Sequence, residues 1–263
     1  MKAIMPRLSE GPGAGIMAMV AFLILWELGV WVFEVPSYLL PRPSEIAAEM
    51  WKYKVTLLHD TWVTGYEILI GFLLGAALGF AMAVLVIFSP IFERVVMPAA
   101  VLTQIIPKLA VAPLFVVWFG VGFLPKIAIT ALMGIFPVLI NGVAGLSLVD
   151  HRWLELMHSV SASKWDVFTK VRLPNSAPYI FVGLKVGMTL SVVGAIVGEW
   201  MGANAGLGFQ IMLSISQLQT SLLFGCLVLL SILGIGFFGV ITLAEALVVP
   251  SHRRVSARDQ PTA

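Results

Sequence analysis

Between Lys126 and Asp150 the chain runs for 23 residues without a charged side chain, IAITALMGIFPVLINGVAGLSLV. A helix rises 1.5 Å per residue, so roughly 20 apolar residues cross the ~30 Å hydrocarbon core of a bilayer. The run reads as a membrane span. Across the whole chain 59% of residues are hydrophobic and 11% charged, whereas a soluble domain carries about 25% charged residues. Too few polar side chains remain to dress a water-facing surface. The chain is therefore expected to be an integral membrane protein with one membrane domain. Its formal charge of +2 gives no ground for a nucleic-acid partner, and its basic residues record topology instead. Cys226 stands alone in an apolar run, which excludes a disulfide framework or thiolate cluster.

Five further spans surround this one. The first covers Ile16 to Val35, after a basic, Gly/Pro-rich leader at residues 1–15. It is read as retained rather than cleaved, because no small-residue cleavage site follows it. Glu34 can reach the interface, but Glu27 should face protein or water. Residues 36–60 form a polar excursion with a short interfacial helix begun at Ser44. The second span covers Trp62 to Phe88. Its Gly71, Gly75 and Gly79 give one smooth face for close helix approach, within the subunit or between subunits. A polar connection is expected from Ser89 to Met97.

The third span, Pro98 to Gly120, is irregular. Pro107 and Pro113 flank Lys108, either as a broken helix lining a protein-enclosed path or as a kink with a snorkelled lysine. The fourth span, Ile127 to Val149, carries Pro137 as a bend and Asn141 as a polar handle. The fifth runs from Pro178 to Glu199, with Lys185 snorkelling toward its start and glycines four apart at Gly183/Gly187 and Gly194/Gly198. Residues 202–220 read as a polar loop. The sixth lies within Ser221 to Val249, thinned by Gly234, Gly236 and Gly239, and a polar tail follows at residues 250–263. Glu199 has two readings, a structural cap or a gate on a solute path.

The segment Asp150 to Pro178 is the only long charged interior stretch in the second half. Trp153, Leu156, Met157 and Val160 fall on one face of a short helix. Ser163 can cap a second helix, with Asp166 three positions on, that would present Trp165, Phe168 and Val171. Asp150, Arg152, Glu155, Lys164, Lys170 and Arg172 form a charged shell. The result is a helix-turn-helix elbow outside the lipid with an apolar face to be covered. Ten basic residues fall on the elbow's side: Lys2, Arg7, Arg94, Arg152, Lys164, Lys170, Arg172, Arg253, Arg254 and Arg258. Four fall opposite: Arg42, Lys52, Lys54 and Lys126. That bias puts the elbow and both termini in the cytoplasm.

No GxxxxGK[ST], HExxH or GxSxG pattern occurs. His151 and His158 flank the first elbow helix on roughly one face and read as surface histidines at a partner interface or in solvent, so no catalytic or metal residue is assigned.

At the elbow the sequence resembles the permease subunits of bacterial binding-protein-dependent ABC importers, in the nitrate, sulfonate and taurine branch that includes pyrimidine-precursor and riboflavin-type systems. The family's motif is EAA, three residues, Gly, nine residues, Ile, one residue, Leu-Pro. Here Glu155-Leu156-Met157 stands for EAA, Ser161 for the glycine, Val171 for the isoleucine, and Leu173-Pro174 match. LLPRPSEI at 39–46, APLFVVWFGVG at 112–122, FPVLINGVAGLSLVD at 136–150 and GAIVGEWMGANAGLG at 194–208 also look like family signatures.

The resemblance implies a type I importer permease of six transmembrane helices in the bacterial inner membrane. Residues 16–249 would be the permease domain and 150–174 the coupling segment. It implies docking of Trp153, Glu155, Leu156, Met157, Ser161, Trp165, Phe168 and Pro174 on a separate cytoplasmic ATPase. Its further partners would be a second permease copy and an external solute-binding protein, with two ATPases per importer. ATP and magnesium would belong to the ATPase, leaving this chain without a cofactor and not an enzyme. Lys108, Asn141 and Glu199 are the candidates for a path or gate. The solute would be small and organic or oxyanionic. A secondary transporter driven by an ion gradient is the competing reading; paired internal repeats would favour it.

Overall fold

In the computed structural model the described residues are 12–249, and they divide into two compact units, 12–58 with 210–228 and 59–209 with 229–249. Most of the leader, the tail, and with them Lys2, Arg7, Arg253, Arg254 and Arg258 of the charge count lie outside the described residues. Every regular element among the described residues is helical.

In the first unit, α1 (Pro12–Val32) is followed by α2 (Pro43–Lys52). Glu27 faces protein: its carboxylate accepts from the Ser44 amide at 3.0 Å and the Ser44 hydroxyl at 2.7 Å. A carboxylate at the start of a helix satisfies N–H groups that have no intrahelical partner. Glu45 does the same from inside α2, accepting from the Arg42 amide at 3.2 Å.

The second unit is organised around α6 (Phe123–Ser147), which buries more residues than any other described helix. Helix α3 (Lys54–Phe88) lies against one side of it through the expected glycine face. A Cβ on Gly75 would sit 2.5 Å from the Ala131 carbonyl oxygen, and one on Gly71 would meet Thr130. The stripe therefore serves packing within the subunit. Helix α9 (Leu173–Trp200) lies against the other side, where a Cβ on Gly194 would be 2.9 Å from the Thr130 Cα. Such contacts bring backbones together where lipid offers no hydrophobic drive for association. Helix α11 (Thr220–Val248) behaves differently. Gly236 and Gly239 have open space where a Cβ would go, so these two glycines thin a face that packs against none of the described residues.

Three expected loops or links are corrected. Residues 89–97 are not a connection but the start of α4 (Pro90–Ile105), capped by the Ser89 hydroxyl, which accepts from the Phe92 amide at 3.3 Å. Residues 202–220 contain a ten-residue helix, α10 (Leu207–Ser216), apolar but too short to cross a bilayer. The elbow consists of α7 (His151–Ser159) and α8 (Lys164–Val167). After α8 the chain does not stop before the fifth span: it passes through a π-helical turn, Phe168–Arg172, directly into α9. Pro174 explains the wide turn, because it has no N–H to give and its ring excludes the carbonyl four residues back.

Five described helices are long and apolar enough to cross a membrane, and the bent pair Pro90–Thr103 with Lys108–Phe119, counted as one broken span, brings the number to six. That pair, α4 and α5 (Lys108–Phe119), is bent by 104° at the expected break.

Candidate functional site

The elbow is anchored at both ends. The Arg172 guanidinium donates to the Leu146 carbonyl at 2.8 Å and the Asn175 amide to the Leu148 carbonyl at 2.7 Å. Both reach carbonyls at the end of α6 that lack intrahelical donors. Arg172 is thus a cap, not part of the charged shell.

Helix α7 begins at Asp150, whose side chain accepts from the Arg152 amide at 3.0 Å. It ends in a Schellman turn, with Ala162 N–H donating to Met157 at 2.9 Å and Ser161 N–H to His158 at 3.0 Å. That geometry needs a left-handed residue, and Ser161 supplies it at φ 53°. A non-glycine residue pays about 1 kcal/mol for such a conformation. Ser161→Gly should therefore raise the melting temperature of the purified chain by about 3 °C, measured by thermal unfolding in detergent. Ser163 caps α8 as expected, its hydroxyl accepting from the Asp166 amide at 3.1 Å and donating to the Asp166 carboxylate at 2.5 Å.

The apolar face divides in two. Trp153, Leu156 and Trp165 are exposed, at 58%, 53% and 63%. With Met157, Val171 and Pro174, Trp153 and Leu156 border an open groove of about 310 Å³. Glu155 stands exposed beside His151 at 3.6 Å. Phe168, by contrast, is buried: its ring packs on Phe88 at 5.3 Å and on Trp165 at 5.4 Å, inside the cluster that includes Val143 and Leu146. It holds the elbow to the spans and is not presented to solvent.

At the opposite end of α6 and α9 lies a buried polar cluster that the sequence reading largely missed. Lys126, expected on the outer surface, is buried and ion-paired with Glu67 of α3. Glu199, 1% exposed, accepts from the Thr64 hydroxyl at 2.6 Å and from the Gly208 amide at 2.5 Å. The Leu207 amide donates to the Thr64 oxygen at 2.8 Å, and the Gly206 amide to Asp60 at 3.1 Å. Three successive N–H groups at the start of α10 are thus taken by side chains of α3 and α9, the placement favoured for acidic groups at a helix N-terminus. Two glycines make room for it. Gly206 adopts φ 118°, and a Cβ on Gly208 would lie 2.7 Å from the Glu199 carboxylate. The sequence signal was GEW followed by GLG, together with Asp60, Thr64 and Glu67, which recur at helical spacing.

The remaining candidates are dispersed. Asn141 donates its amide to the Pro137 carbonyl of its own helix at 2.8 Å. Lys108 begins α5 with its ammonium 4.9 Å from the centre of the Phe136 ring. Lys185 does not snorkel; it pairs with Glu245 at 2.5 Å.

A helical domain with several apolar spans and a helical elbow between the fourth and fifth of them defines the class, a polytopic α-helical membrane protein. A model of the family described as "binding-protein-dependent transport system inner membrane component" matches residues 72–256, and the chain belongs to that family. It is 34% identical to a probable ABC transporter permease protein of Haemophilus influenzae, over 79% of this chain and 85% of that one. It is 33% identical to the formylaminopyrimidine transport permease protein ThiX of Halalkalibacterium halodurans, over 88% and 93%. It is 29% identical to the putative aliphatic sulfonates transport permease protein SsuC of Bacillus subtilis, over 84% and 80%. The fold matches the inward-facing MetNI methionine ABC transporter at TM-score 0.65 and 20% identity, covering 76% of this chain and 99% of that one. The chain is a multi-pass inner-membrane permease component of an ABC importer.

Proposed function

We propose that two copies of this chain enclose the importer's path, with the elbow of each docked on a separate cytoplasmic ATPase and an external binding protein delivering the solute. Residues 16–249 form the permease domain in this reading, and 150–174 the coupling segment. ATP and magnesium stay on the ATPase, and this chain takes no cofactor.

One observation carries the reading: an anchored elbow that leaves Trp165 uncovered, and Trp153 and Leu156 uncovered beside a groove. Large aromatic side chains at the edge of a pocket are the usual anchors of an interface, and Glu155 can pair with a basic residue opposite. The charge bias supports a cytoplasmic elbow and cytoplasmic termini. With buried Lys126 taken out of the four outer basic residues, three remain against ten. The solute is small and organic or oxyanionic, within the range from formylaminopyrimidine to aliphatic sulfonate that the relatives' names cover.

Purification of the tagged chain from its own membrane should bring down a protein with a phosphate-binding loop in stoichiometric amount. Trp153→Ala should cut that yield about 10-fold, the effect of removing an interface anchor worth ~1.4 kcal/mol or more. The variant should stay monodisperse. Unchanged yield and unchanged uptake would remove the elbow from the coupling role.

A further inference from the structure

Helix α4 ends at Ile105, and Ile106 and Pro107 are extended, at ψ 126° and 97°, before α5 starts at Lys108. The ammonium of Lys108 lies over Phe136, near the middle of α6 (Phe123–Ser147) and so near the middle of the membrane. Two physical conflicts meet there. Non-helical backbone at that depth is tolerated only where protein buries it or where it lines a water-filled cavity. Yet Ile105 and Ile106 are 73% and 51% exposed on this chain. A charge at that depth needs a partner or water. The other two lysines within the spans have carboxylates, Lys126 with Glu67 and Lys185 with Glu245. Among the described residues Lys108 has only the face of a phenyl ring.

We propose that residues 105–109 line the aqueous path and that Lys108 is a fixed cation there, selecting solutes that carry an anionic group such as a sulfonate, carboxylate or nitrate. The start of a half-helix at a break adds to the same sign, because its free N–H groups point positive charge into the path. Phe136 keeps the ammonium in place without neutralising it, since a ring face attracts a cation but carries no net charge. The inference rests on the importer reading and narrows its solute from the wider range to the anionic part.

The test does not require the solute to be known. Ile106→Cys, in the assembled importer in membranes, is labelled with methanethiosulfonate reagents bearing either a sulfonate or a trimethylammonium group. The parent chain is run alongside to subtract reaction at Cys226. Relative to their rates on a free thiol in solution, the sulfonate reagent should be favoured over the cationic one about 10-fold, a modest figure for a unit charge close by in a confined path. Adding Lys108→Met should return the ratio to its free-thiol value, and Lys108→Arg should keep the preference. Leu109→Cys serves if Ile106→Cys does not assemble. Absence of labelling by either reagent would show that protein or lipid covers the break, and the proposal falls. A preference that survives Lys108→Met overturns it equally. Either result leaves the importer reading standing if the ATPase still co-purifies.

Discussion

Gly75→Leu will abolish the folded chain. A single Cβ at that position already comes within 2.5 Å of the Ala131 carbonyl oxygen, and the neighbouring obstacles are the Ala131 backbone atoms at 3.1 and 3.2 Å. Backbone of a central helix cannot step aside as a side-chain tip can, so α3 must lift off α6 along its length. The cost is about 3 kcal/mol, the upper end of the usual overpacking range because the obstacle is backbone, and a large part of the total stability of a domain. Size-exclusion profiles of the detergent-extracted protein should show loss of the monodisperse peak. Gly236→Leu is the matched control: nothing lies within 4 Å of its Cβ position, and the same peak should survive. Equal damage from both would show that helix propensity, not the α3–α6 seat, sets the outcome.

Glu199→Ala carries the second-largest effect. It leaves the Gly208 amide without its acceptor and frees the Thr64 hydroxyl, both in a region closed to water. Buried donors left unmatched cost 1–3 kcal/mol each. Together they should lower the melting temperature by about 10 °C, read by thermal unfolding of the purified chain. Glu199→Gln keeps one acceptor oxygen and should fall between. A drop of under about 2 °C in the alanine variant would show that water reaches these groups and that the cluster is not closed.

The spans were legible because a bilayer demands length and apolarity, and both are visible in a linear sequence. The glycine stripe on α3 was legible for a related reason, since spacing by four defines a helix face. What escaped was pairing at long range. Lys126 looked like a surface charge because nothing near it in sequence showed that Glu67, a turn beyond Thr64, would face it across two helices. Lys185 and Glu245, sixty residues apart, were misplaced in the same way. Phe168 was placed on the exposed face because a separate second elbow helix was assumed. The π turn before Pro174 joins that helix to α9 and rolls Phe168 inward onto Phe88. The short helix at 207–216 was hidden by the glycines and polar residues around it, whose purpose is to fit against Glu199 and Asp60.

The join between elbow and span leaves no break in the helix between them. From Lys164 to Trp200 the chain is one helical rod of 37 residues, about 55 Å long at 1.5 Å per residue. Its short arm carries Trp165, and its far end carries Glu199, which accepts from the Gly208 amide and the Thr64 hydroxyl. A tilt of about 5° at the elbow sweeps that far end through about 5 Å over the rod's length. A displacement of that size at the Trp200 end would have to be taken up by the contacts of Glu199 with Thr64 and Gly208.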